Sequence, residues 1–112
     1  MPGLDDVRRI ALQLPRAYEA IVRDYVKFRV GRIVFASVSP DETLLGFGYP
    51  REQREALVAG NPGTFLMPVT SDLRYQWVRL RLAEIDPVEL EELLVDAWRM
   101  CVPKKVAAEY LG

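Results

Sequence analysis

Hydrophobic and polar residues alternate most strictly along "YQWVRLRLAEI", residues 75–85. Val78, Leu80 and Leu82 fall on one side of an extended chain, and Trp77, Arg79 and Arg81 on the other. Successive side chains of a strand point to opposite faces. The pattern therefore predicts a strand with one buried face, and with a tryptophan and two arginines on the face left outside. "YVKFRVGRIVFASVS", residues 25–39, alternates in the same way on either side of Gly31-Arg32. A glycine in the first central position suits a two-residue type II′ turn, so this stretch reads as a hairpin. The expected register sets Val30 against Ile33, Phe28 against Phe35 and Val26 against Ser37 on the core face. It leaves Tyr25, Lys27 and Arg29 beside Val34, Ala36 and Val38 on the other face. "TLLGFGY" (43–49) reads as a third strand. "TFLMPVT" (64–70) reads as a fourth, in which Pro68 calls for an edge or a bulge.

Helical spacing takes over elsewhere. Leu4, Val7, Ile10, Ala11 and Leu14 share one face of a first helix opened by Asp5 and Asp6 and ended by Pro15. "REQREALVAG" (51–60) predicts a short helix closed by a left-handed Gly60. "DPVE" (86–89) is the clearest helix start, with Asp86 as cap, Pro87 in the first turn and Glu89 in capping-box position. Leu90, Leu93, Leu94, Ala97, Trp98 and Cys101 then form its apolar stripe. Pro103 breaks that helix, and a last short one covers 104–111. Residues 39–42, "SPDE", form a turn. Residues 16–24 read equally as loop or as a short strand. The sum is a single α+β domain over 1–112: a mainly antiparallel five-stranded sheet with N- and C-terminal helices packed on one face.

Composition narrows the chemistry. The chain has 112 residues, 15 basic and 16 acidic, for a formal net charge of -1. Contact with a polyanion would have to come from a local patch. No histidine is present, which removes the Ser-His and Cys-His nucleophile pairs and the commonest metal ligand. The single cysteine allows no intrachain disulfide. "MPGLDDVRRI" lacks the pattern of a secretory leader, and no apolar run is long enough to cross a bilayer, so a cytoplasmic protein without membrane contact is expected.

No catalytic constellation stands out. Glu89, Glu92 and Asp96 lie on the polar side of an amphipathic helix, where solvation and capping explain them. Cys101 falls on the apolar stripe and reads as a structural thiol, although Lys104 and Lys105 nearby would favour a thiolate. "GFGY" (46–49) lacks the third glycine, the lysine and the Ser/Thr of a phosphate loop; Gly46 and Gly48 rather allow a helix to approach or a bulge to form. No enzyme, cofactor or metal is expected.

The arginine face remains. Arg79 and Arg81 alone are explained as the solvated side of a strand. If the strand at 25–30 exposes the same sheet face, however, Tyr25, Lys27, Arg29, Trp77, Arg79 and Arg81 converge. Cations mixed with aromatics suit phosphate contact and base stacking. Glu42, Asp72 and Glu84 would partly neutralise them.

The order of motifs resembles the MmcQ/YjbR family of small bacterial proteins. The likeness rests on "IALQLP" (10–15), "VKFRVGRIVFASV" (26–38), "YPREQREAL" (49–57) and "WVRLRLAEIDPVELEELLVDAWRMCVPKK" (77–105). It implies a CyaY-like, frataxin-related α+β fold and a non-catalytic DNA-binding protein with a double-winged arrangement. It adds Arg32 of the V-G-R turn and the pair Lys104 and Lys105 to the expected nucleic-acid contacts. "LLGFGYP" carries glycines where relatives often have a lysine-bearing strand, which subtracts positive charge. The alternative reading is a module that binds a small anionic ligand or a protein partner through the same open face. Oligomeric state is not legible.

Overall fold

The computed structural model describes residues 2–112. The chain runs α1 (Leu4–Ala11), β1 (Ala17–Val22), β2 (Tyr25–Val30), β3 (Ile33–Val38), β4 (Leu44–Gly48), α2 (Arg54–Gly60), β5 (Phe65–Leu66), β6 (Trp77–Arg81), α3 (Pro87–Arg99) and α4 (Lys104–Leu111). The six strands form one antiparallel sheet in the order β1-β2-β3-β4-β6-β5. The sixth strand is β1, in the segment whose pattern left loop and strand open. It is joined to β2 by a two-residue turn at Arg23 and Asp24, both with positive φ.

One face of the sheet is covered. Val7, Ile10 and Ala11 of α1, with Leu90, Leu94, Ala97 and Trp98 of α3, close over Phe28, Phe35, Phe47, Val78 and Leu80 in a single core. Asp86 caps α3, accepting from the backbone N–H groups of Val88 (3.0 Å) and Glu89 (3.1 Å). Trp98 is fully buried, and its Nε1 donates to the Pro15 carbonyl at 2.8 Å, tying α3 to the turn after α1. Its ring meets Tyr110 of α4 edge-on, centroids 5.3 Å apart, so α4 belongs to the helical layer. Among the described residues no α-helix lines the concavity on the opposite face of the sheet, which is bounded by strand, turn and loop residues.

The β2–β3 hairpin turns as expected, with Gly31 at φ +60 and Val30 opposite Ile33. Arg29 opposite Val34 also keeps the expected register, and the departure begins at Phe28. Phe28 faces Ala36, so Phe35 is the extra residue of a bulge. "IVFASV" is apolar at both parities. The bulge allows Phe35, Ala36 and Val38 all to be fully buried, and it moves Ser37 to the open side opposite Lys27. Ile33, expected in the core, overhangs the hairpin tip and is largely exposed. The open face is thus more polar than an unbroken alternation implies.

Three further expectations change. "TFLMPVT" forms only two residues of strand, at the sheet edge, before Pro68. Gly60 ends α2 without a left-handed conformation, and Asn61 takes the capping position. Gly46 and Gly48 do not serve one neighbour. A Cβ at Gly48 would meet Ala97 of α3 at 3.6 Å, whereas one at Gly46 would strike the Trp77 side chain.

Candidate functional site

The open face comes from the alternation itself. β2 contributes Tyr25, Lys27 and Arg29, each partnered across the sheet by a residue of the same face: Val22, Ala20 and Tyr18 of β1 on one side, Ser37 and Val34 of β3 on the other. β4 contributes Leu44 and Gly46, set against Arg81 and Arg79 of β6. The strands carrying the basic and aromatic residues therefore expose one face but are not neighbours, since β3 and β4 lie between them.

Between them lies a broad concavity of about 890 Å³. Tyr25, Lys27 and Arg32 line one side of it, and Trp77 and Arg79 the other. Its floor is made of small or short residues, Val34, Ser37 and Gly46. Five of the nine residues expected from the sequence thus share one site. Arg29 lies on the same face but outside this lining, and its Nε is buried without a hydrogen-bond partner. Lys104 and Lys105 start α4 in the helical layer and are separated from the concavity by the sheet.

The two arginines of β6 have structural duties. Arg79 donates through Nε (3.1 Å) and Nη2 (2.9 Å) to the Met67 carbonyl. Arg81 donates through Nη1 to the carbonyls of Pro62 (3.3 Å) and Gly63 (3.1 Å). They hold the segment before and after β5 on the sheet. Arg79 keeps part of its guanidinium for the concavity; Arg81 faces the 62–63 turn. In contrast, no carboxylate among the described residues pairs with Arg23, Lys27, Arg29 or Arg32, the ion pairs being confined to Arg8, Arg9 and Arg99. The positive charge of the β2–β3 side is left to solvent. Lys27 Nζ stands 5.8 Å from the Tyr25 ring centroid, within reach of cation–π attraction.

The rim over β6 is built by Asp72, one of the three acids expected near the arginines, and by Val69, Tyr75 and Gln76, to which the sequence pattern assigned no part in the site. These four line the concavity from the connection between β5 and β6. That connection is pinned from beneath by Arg54 of α2, only 6 % exposed. Its Nη1 donates to the carbonyls of Tyr75 (2.8 Å) and Trp77 (3.3 Å), and its Nη2 to that of Leu73 (2.5 Å). Arg51 adds a bond to the Arg74 carbonyl at 2.7 Å. Arg54 shares the inner stripe of α2 with Leu57 and Val58 at helical spacing, and a cation in an apolar stripe was the available signal. Asp72 is the acid that lines the concavity; Glu42 and Glu84 do not.

Chemically the site is a shallow surface of cations, hydroxyls and aromatic rings. Among the described residues no group of three or more His, Cys, Asp or Glu side chains is placed to hold a metal ion. Cys101 lies away from the open face, its thiol against the Ala97 carbonyl at 3.6 Å, and burial pushes its pKa above the ordinary thiol value. No helix among the described residues is long and apolar enough to cross a membrane.

Known proteins resemble this one across nearly its full length. The chain is 33% identical to Uncharacterized protein Rv2570 of Mycobacterium tuberculosis over 130 aligned positions, covering 100% of this chain and 98% of the relative. It has the same identity and coverage with Uncharacterized protein Mb2600 of Mycobacterium bovis. The crystal structure of the Deinococcus radiodurans protein DR2400, with a domain of the DUF419 model, superposes with a TM-score of 0.80 at 22% identity, over 94% of this chain and 82% of that one. That likeness shows a shared fold. The YjbR family model matches residues 12–100, from the end of α1 to the end of α3, and the chain belongs to the YjbR family.

Proposed function

We propose that this YjbR protein binds DNA, without catalysing a reaction, through the open face of its sheet. The observation that carries the reading is the meeting of Tyr25, Lys27 and Arg32 with Trp77 and Arg79 around one uncovered concavity. Cations neutralise phosphates and release their counterions, and aromatic rings offer stacking platforms indifferent to base identity. The unpaired charges of Lys27, Arg29 and Arg32 supply a local positive field in a chain whose net charge is -1. A shallow, broad face with rings at both ends favours single strands, whose bases are free to stack, over duplex. The chain has no histidine, and burial shifts the pKa of its one thiol upward, away from an activated thiolate, which supports a reading of binding without chemistry.

The size of the concavity favours a second reading. About 890 Å³ lies in the range of small-molecule sites, and a ring-bearing anion would meet the same Trp77 and Lys27. The two separate by titrating labelled single-stranded and duplex DNA at several salt concentrations, with wild type and a Lys27→Ala/Arg32→Ala variant. DNA binding predicts log affinity falling with log salt at a slope of about -0.7 per neutralised phosphate on single strands, and a shallower slope in the variant. No binding at low salt would sink the DNA reading. Thermal stabilisation by small aromatic anions would then be the measurement to make.

A further inference from the structure

The two edges of the sheet are built differently. At the β5 edge the pairing lasts two residues, Pro68 follows, and Arg79 and Arg81 occupy carbonyls of the adjoining segment. Short strands, proline and covered backbone groups blunt an edge against further pairing. β1, the other edge, runs six residues, "AYEAIV", with no lysine, proline or bulge. Its one acid, Glu19, is neutralised by Arg8 through bonds of 2.7 and 3.1 Å. Ile21 is 70% exposed on one side of it and Tyr18 43% on the other. We propose that β1 is the contact surface for a second copy of this chain, joined antiparallel about a two-fold axis so that the two six-stranded sheets run on as one.

The backbone determines which registers are open to such a pairing. Arg23 and Asp24 have φ of 52 and 67, the conformation of a two-residue type I′ loop. The pair flanking such a loop, Val22 and Tyr25, exchanges hydrogen bonds, and alternation assigns Ala20–Lys27 and Tyr18–Arg29 to the same class. The N–H and C=O groups of Glu19 and Ile21 therefore point outward and are free, whereas the outward N–H of Ala17 is already taken by the Leu14 carbonyl at 3.1 Å. The next hairpin agrees. Val30 bonds across Gly31-Arg32 to Ile33, so its β1 partner Ala17 is turned away from it.

Outward residues must then meet outward residues. A pairing centred on Glu19 would oppose two acids. One centred on Ile21 would shorten the overlap. Centred on Ala20, the pairing sets Glu19 of each copy against Ile21 of the other, and Tyr18 against Val22, an aromatic–β-branched pair. It also brings Arg16 of each copy toward Asp24 of the other, so opposite charges meet at both ends. Side chains keep their face across the junction, and the two basic concavities open on the same side. This inference uses the β1 edge alone and does not depend on the DNA reading.

Sedimentation equilibrium of the full chain, from low to several hundred micromolar, tests it. The expected result is a mass that rises from one chain to two with concentration. Ile21→Glu, at an exposed position where folding tolerates it, sets like charges against Glu19 and should weaken association about tenfold at unchanged melting temperature. Register is read by oxidation in a Cys101→Ser background. Ala20→Cys places two sulfurs across a non-hydrogen-bonded pair with Cα atoms about 4.5 Å apart, and should cross-link. Tyr18→Cys leaves its two copies about 13 Å apart along the strands and should not. A single-chain mass at every concentration, a dimer indifferent to Ile21→Glu, or cross-linking at position 18 instead of 20 would overturn the proposal. So would a monomer whose β1 amides respond to an added extended peptide, which would give the edge to a different partner.

Discussion

The Trp77 indole occupies the space that a side chain on Gly46 would need: a Cβ there would lie 2.7 Å from Nε1 and 2.8 Å from Cζ2. Gly46 is fully within the sheet, opposite Arg79, so Trp77 leans diagonally across the β4 backbone and forms part of the concavity floor and wall. Glycine at 46 is what seats the ring. Gly46→Ala forces a rigid indole to move, and overpacking of this kind costs about 1–3 kcal/mol. The variant should melt lower, and its Trp77 emission should become more accessible to acrylamide, while fully buried Trp98 stays dark to the quencher. If the proposed binding uses Trp77, DNA affinity falls in the same variant.

Arg54 links the helix α2 to the rim of the site. Its guanidinium serves three backbone carbonyls, of Leu73, Tyr75 and Trp77, from a buried position. A lysine there keeps the charge but not the planar fork that reaches three acceptors. Arg54→Lys should therefore lose about 2–4 kcal/mol in denaturant unfolding, most of it from carbonyls left without a partner. Hydrogen exchange should accelerate first at residues 73–77. Unchanged exchange in that segment would mean that the rim is held by other contacts.

These two residues mark the limit of what periodicity reveals. The strand at 77–81, the turn at Gly31 and the cap at Asp86 were legible because each follows from one local rule: alternation, a permissive glycine, a carboxylate before Pro87. The α+β class follows from the order of helices and alternating strands, and the resemblance adds the family. The β1 strand was not resolved, because "RAYEAIV" alternates weakly and its alternating sides, Tyr18 and Ile21, are both exposed at an edge. The bulge at Phe35 was hidden because apolar residues at both parities fit two registers, and only the competition for core volume chooses. Convergence of Tyr25, Lys27, Trp77 and Arg79 was anticipated, but strand order is a long-range property. Lys104 and Lys105 were joined to them by resemblance alone, and packing of Tyr110 on Trp98 carries that helix to the other layer.

The lone thiol gives a pH test. Burial raises the Cys101 pKa in the folded chain. An unfolded thiol loses its proton near pH 8.5, so the preference for the protonated form stabilises the fold fully below that pH. The contribution is lost as pH rises from there through the folded value, because the unfolded state gains by ionising first. Stability should fall across this alkaline window in wild type and fall less in Cys101→Ala, measured by urea unfolding at successive pH values. Alkylation by iodoacetamide at pH 8 should be slower in the folded chain than in urea. Equal or faster reaction in the folded chain would point to an activated thiol and reopen catalysis.

Charge on the two layers separates the proposed DNA surface from general electrostatic attraction. Lys27 and Arg32 line the concavity, whereas Lys104 and Lys105 stand exposed at the start of α4 on the helical side. Each pair removes the same formal charge when replaced by alanine. If DNA tracks across the open face, Lys27→Ala/Arg32→Ala should lower the salt slope on single strands by about 1.4, two phosphates at about 0.7 each. Lys104→Ala/Lys105→Ala should leave the slope unchanged and reduce affinity only through the weak, screened field beyond a Debye length of about 10 Å. Equal losses in the two variants would mean that the chain attracts DNA by charge alone, with no preference for the face that carries Tyr25 and Trp77. A loss confined to Lys104→Ala/Lys105→Ala would move the site to the helical layer and leave the concavity to a smaller anion.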